Sequence, residues 1–121
     1  MKKTISQKSA SRKALHLEHV ICKAEIAYKS GRIQSAVTYA CRALLYCESN
    51  STKIALKIFM ARAYSKLGCY DKSNTIYRDL LRQNIYMPPV IMGLLYNNIK
   101  TAPMEKLSLN IKLVKTCLHL H

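Results

Sequence analysis

The sequence predicts an all-α fold assembled from antiparallel helix hairpins. Three observations carry this. Apolar residues recur at helical spacing in successive runs along the chain, with no lasting strand-like alternation. Glycines stand at the corners between paired runs, at Gly31 and Gly68. The runs on either side of those glycines repeat one another in residue type.

The elements follow in order. Residues 1–14, beginning MKKTISQKSASRK, are polar, Ser-rich and basic, and read as a flexible arm or one weak helix. Residues 15–121 read as a single helical-repeat domain. Its first run places Leu17, Val20, Ile21, Ala24 and Ala27 or Tyr28 on one stripe and stops at Gly31. Ile33, Ala36, Val37, Ala40, Ala43, Leu44 and Cys47 form the second run. The polar break ESNST then offers caps for a third run of Ile54, Ile58, Ala61, Ala63 and Tyr64, closed by Gly68. Tyr70, Ser73, Ile76, Tyr77, Leu80 and Leu81 make the fourth. Met87-Pro88-Pro89 interrupts the chain, and a proline fits a first helical turn but not an interior, so a fifth run covers Val90 to Ile99. A sixth, Met104 to Leu118, opens at Pro103. Short linkers fold these six runs into three hairpins.

Superposing the corner glycines exposes the repeat. Gly31 aligns with Gly68 at a spacing of 37 residues, and with it Ala24 with Ala61, Ile33 with Tyr70, Ala36 with Ser73, Ala40 with Tyr77 and Leu44 with Leu81. Units of 17–50, 54–87 and 88–121 result. One hairpin cannot hide its apolar face alone, whereas stacked hairpins close a continuous core. Small residues such as Ala24, Ala36 and Ala61 admit close helix crossings, and Tyr77 and Leu81 fill the space beside them.

These residues resemble the tetratricopeptide repeat family. The unit around Gly68 supplies Met60-Ala61, Tyr64, Gly68, Tyr70, Ser73, Tyr77 and Leu80-Leu81; the unit around Gly31 supplies Lys23-Ala24, Ala27, Gly31, Ile33, Ala36, Ala40 and Ala43-Leu44. Both depart from the family pattern: Val20 and Lys57 replace its large first aromatic, and Ser73 and Leu80 stand in for alanines. The third unit fits loosely, with Ala102 at the corner and Leu107, Ile111 and Val114 at later core positions. The resemblance implies a right-handed superhelix of antiparallel helix hairpins that binds proteins. More narrowly, YRDLLRQN at 77–84 followed by VIMGLL at 90–95 resembles the amino-terminal region of the subunit-seven family of the anaphase-promoting complex. That resemblance implies a non-enzymatic scaffold of a ubiquitin ligase acting in cell division. It also implies a homodimer that contacts other repeat subunits.

In the family, the first helices of the hairpins line the concave face. Carried over by position, the groove takes Glu18, Ile21, Glu25, Tyr28 and Lys29 from the first unit. Ala55, Ile58, Arg62, Ser65 and Lys66 come from the second, and Met92 and Tyr96 from the third. This is a mixed wall, with apolar anchors beside Arg62 and Lys66 for an acidic or polar peptide. The same side chains are alternatively a face for a dimer mate. Ile21 and Glu25 stand where a carboxylate clamp for chaperone tails needs lysine and asparagine, which disfavours that ligand.

Charge narrows the partners. Lys and Arg number 20 against 6 Asp and Glu, a formal charge of +14. Such a balance calls for an acidic counterpart: a protein surface, nucleic acid or an anionic membrane, or acidic parts of a longer chain to which this one belongs. Nucleic-acid binding is the alternative to a protein-binding scaffold; it requires a contiguous basic stripe and steep salt dependence. Lys2, Lys3, Lys8, Arg12 and Lys13 in the arm suit phosphates or plain solvation equally. The apolar fraction of 50% excludes a disordered chain, and no run reaches the length of a membrane span. Eight of the aromatics are tyrosines, so most rings carry a polar tip. Five cysteines without CxxC spacing, four of them in or beside apolar helical runs, suggest small hydrophobes in a reducing compartment, cytoplasm or nucleus. The acid-free, Lys-, Arg- and Ser-bearing start is also compatible with a mitochondrial targeting peptide.

No catalytic set emerges. Glu18, Glu25, Glu48, Asp71, Asp79 and Glu105 read as solvated surface acids. His16 and His19 share a face, but HxxH without further ligands is a weak metal signal. No cofactor is expected, for glycine-rich phosphate loops are missing from a chain with 3 glycines.

Overall fold

The computed structural model describes residues 5–101 and Lys115, with side chains from Arg12 onward. Among these residues five α-helices run in order: α1 (Ile5–Lys29), α2 (Ile33–Tyr46), α3 (Asn50–Lys66), α4 (Tyr70–Arg82) and α5 (Pro88–Thr101). The fold is all-α. The expected sixth run, Met104 to Leu118, lies outside the described residues apart from Lys115, and with it the second half of the third hairpin. α1 begins at Ile5 and so takes in most of the basic arm. Pro88 opens α5 in the first turn, where a missing N–H costs nothing.

The chain divides into two compact units between Leu56 and Lys57, inside α3. This division falls beyond the ESNST linker that the repeat pattern marks as the break between units.

The first unit is the α1–α2 hairpin with the start of α3. Its register shows in two side-chain contacts. The rings of His16 and Tyr46 meet edge to face with centroids 4.8 Å apart, and the Lys23 ammonium lies 5.8 Å from the Tyr39 ring centre. Ala24, Ala27, Ala36, Ala40 and Ala43 are all essentially inaccessible, with Val20 and Val37 beside them. Alanine at so many facing positions brings the helix backbones close. The seam is sealed by contact between backbones and methyl groups rather than by large side chains.

The second unit joins the rest of α3 with α4 and α5. Its core is bulkier: Ile58, Met60, Ala61, Ala63, Tyr77, Leu80, Val90, Ile91 and Leu94. Where the first unit has Ala40, this one has the fully buried Tyr77, and its ring lies against Gly93 of α5. A Cβ on Gly93 would fall within 2.6 Å of Tyr77 Cε2, so the large ring and the absent side chain fit each other.

The two hairpin corners are built alike. Gly31 has φ +83° and Gly68 φ +80°. The residues that follow, Arg32 (φ −85°, ψ 67°) and Cys69 (φ −86°, ψ 64°), are nearly identical in backbone. In each corner the N–H just past the glycine reaches back to the carbonyl five residues earlier, Arg32 to Ala27 at 2.8 Å and Cys69 to Tyr64 at 2.9 Å. The glycine N–H closes the inner turn, to Tyr28 at 3.1 Å and to Ser65 at 3.0 Å. This is the left-handed helix stop that satisfies the last carbonyls. Asn84, at φ 62°, ends α4 in the same way, with Ile85 N–H bonded to the Leu80 carbonyl at 3.0 Å. Asparagine is the side chain that tolerates this conformation best after glycine.

Burial repeats with the corners. Ala24 and Ala61, Ala36 and Ser73, Ala40 and Tyr77, and Ala43 and Leu80 are buried pair by pair, while Leu44 and Leu81 are both half-buried. Cys22 and Cys41 depart from the sequence reading. Cys47 is buried and gives its S–H to the Ser49 carbonyl at 3.4 Å, but Cys22, Cys41 and Cys69 are exposed free thiols. Cys22 and Cys41 fall on the outer faces of α1 and α2, off the stripes that meet in the hairpin.

Candidate protein-binding surfaces

Five of the groove candidates lie on α1 in the first unit. Glu18, Glu25 and Lys29 are exposed, and Ile21 and Tyr28 are half-buried. Spacings of three, four and seven residues put them on one side of the helix. Ala55, on α3 in the same unit, is exposed.

The second unit holds the others. Arg62 and Lys66 are exposed on α3, one turn apart. Met92 and Tyr96, also one turn apart, are 55% and 50% exposed on α5. Ile58 is buried at 8% exposed and belongs to the core. Ser65 is part-buried, and its hydroxyl donates to Asn97 Oδ1 at 2.6 Å. Ile58 and Ser65 therefore position the surface rather than present one. The Ser65–Asn97 bond ties α3 to α5.

Asn97 has no counterpart in the sequence reading. It is fully buried, and both its amide nitrogen and its amide oxygen have partners. Nδ2 donates to Ser73 Oγ at 2.8 Å and to Asn74 Oδ1 at 2.9 Å, while Oδ1 accepts from Ser65. Ser73 Oγ in turn donates to the Ala61 carbonyl at 2.7 Å. One amide thus links α3, α4 and α5. A buried amide left unpaired would cost about 1–3 kcal/mol, so the four side chains form a set. A signal for this lay in the repeat alignment: Ser73 and Asn74 stand where the first unit has Ala36 and Val37, and adjacent buried polar residues require a partner.

With few carboxylates available, several cations turn to tyrosine rings. Lys23 and Arg42 flank Tyr39 at 5.8 and 5.9 Å; Lys72 lies 5.5 Å from the Tyr64 ring centre, and Lys100 5.5 Å from that of Tyr96. Each such contact contributes about 0.5–1 kcal/mol at an exposed site and leaves the positive charge facing outward.

Among the described residues no three His, Cys, Asp or Glu converge as metal ligands, and His16 packs on Tyr46. Glu18, Glu25, Glu48, Asp71 and Asp79 are all exposed. No helix of the described residues is long and apolar enough to cross a membrane.

No family model, curated protein or solved structure matches this chain. What the described residues define is an all-helical protein with basic, tyrosine-bearing surfaces.

Proposed function

We propose that this chain is a non-enzymatic protein-binding scaffold built of tetratricopeptide-type repeats. The observation that carries the reading is the identity of the two hairpin corners. Gly31-Arg32 and Gly68-Cys69 share dihedrals and hydrogen-bond pattern, and equivalent positions around them are buried. The contacts of α5 with both α3, through Ser65, and α4, through Tyr77, favour it further, because stacked hairpins place each new first helix against the previous pair. In this reading Arg62, Lys66, Met92 and Tyr96 receive an acidic or polar segment with apolar anchors. Buried apolar contact supplies most of the affinity, and the cations steer the encounter.

The narrower assignment, a homodimeric scaffold subunit of a ubiquitin ligase of the anaphase-promoting type in cytoplasm or nucleus, rests on the resemblance at 77–84 and 90–95. Quantitative co-purification from dividing cells tests it. The tagged chain should recover other repeat subunits, and Arg62→Glu with Lys66→Glu should lower that recovery while helicity stays unchanged. Sedimentation should report a dimer. A compact monomer at high concentration would remove the homodimer. Affinity for any polyanion that collapses with salt would replace the scaffold by a nucleic-acid binder.

A further inference from the structure

A second surface, separate from the groove candidates, lies on one flank of the α1–α2 hairpin. Along α1, His16, Lys23 and Ile26 recur at spacings that form one exposed stripe, with Ile26 57% accessible. Along α2, Tyr39, Arg42 and Tyr46 form the matching stripe, with Tyr46 44% accessible. The contacts of His16 with Tyr46 and of Lys23 with Tyr39 knit the two stripes into one continuous face. Glu18 and Glu25 point to the opposite side of α1, and α2 contains no acid. Among the described residues neither Lys23 nor Arg42 has a carboxylate partner, and both converge on the single ring of Tyr39. Two like charges gathered at one ring repel each other, and an anion set between them relieves that repulsion.

We propose that this flank docks an acidic segment of a partner protein, its carboxylates meeting Lys23 and Arg42 and its apolar side chains covering Ile26 and Tyr46. Charge decides the occupant. A second copy of the chain seated on the same patch would set Lys23 and Arg42 against their own kind. A nucleic acid would need an open ring for a base to stack on, yet Tyr39 is half-buried and already has two cations beside its ring. An exposed isoleucine beside the cations suits an aliphatic side chain better than a phosphate chain. This surface does not depend on the groove reading, because it uses none of the same residues.

The test titrates the full chain with a fluorescent helical peptide bearing Glu and Leu on one face. Parallel titrations use its Glu→Gln counterpart and single-stranded oligo-dT. The acidic peptide should bind, and the Gln counterpart should bind about tenfold more weakly. Lys23→Glu with Arg42→Glu should remove a similar factor, whereas Arg78→Glu with Arg82→Glu, exposed on α4 and outside both proposed surfaces, should leave affinity within about twofold. Lys23→Gln with Arg42→Gln, which introduces no new charge, reads the same loss if the reversal perturbs folding. Equal weakening by the two charge-reversed pairs would overturn the proposal, because diffuse net charge would then suffice. Tighter binding of oligo-dT, lost in the Lys23/Arg42 variants, would overturn it in favour of a nucleic-acid surface.

Discussion

The ring of Tyr77 occupies the space that a side chain on Gly93 would need. This one fit sets how closely α4 and α5 approach. It also explains how the second unit accepts a tyrosine where the first has an alanine.

Gly93→Ala should therefore destabilise the fold although alanine is the better helix former. The propensity gain of about 1 kcal/mol opposes an overpacking cost of about 1–3 kcal/mol, and the fully buried ring has little room to yield. Urea melts should show a lowered midpoint, and Tyr77→Leu in the same chain should restore part of it. A Gly93→Ala variant more stable than the parent would show that the ring moves freely.

Asn97 is the next test. Asn97→Ala strands Ser65, Ser73 and Asn74 in a buried setting and should cost about 2–3 kcal/mol. Ser65→Ala removes one hydroxyl and one bond and should cost about 1 kcal/mol. In a double-mutant cycle the two losses should be less than additive, since both remove the same contact. Full additivity would mean that the bond contributes nothing in solution.

The corners make a matched prediction. A Cβ added at Gly31 or Gly68 would meet open space, so Gly→Ala at either costs only the left-handed backbone, about 1–2 kcal/mol. The two losses should agree closely because the dihedrals agree. Asn84→Gly should be neutral or slightly stabilising at the third left-handed stop. Thermal melts of the three variants decide this, and a cost at one glycine alone would break the equivalence of the corners.

Thiol labelling checks the surface assignment. In the native chain a maleimide should modify Cys22, Cys41 and Cys69 quickly, and Cys47 only after unfolding, as followed by peptide mass mapping. Fast modification of Cys47 in the native chain would mean that the end of the α2 seam is open.

The helices and their corners were legible in the sequence because their causes are local. Apolar spacing places a helix, and a glycine that must turn left-handed ends it, so α2, α4 and the stops at Gly31 and Gly68 follow from neighbouring residues alone. The groove candidates were legible only as helix faces. Arg62, Lys66, Met92 and Tyr96 are indeed presented to solvent, while Ile58 turned inward and Ser65 became committed to Asn97. Cys22 and Cys41 look like core residues by composition yet face outward, since a cysteine in an apolar run does not reveal its phase on the helix. What only the tertiary structure decided is which distant residues meet: Tyr77 with Gly93, Asn97 with three polar partners, and Lys23 with Arg42 on one tyrosine. Those pairings depend on the packing of separate helices in three dimensions, and no periodicity within a single helix encodes them.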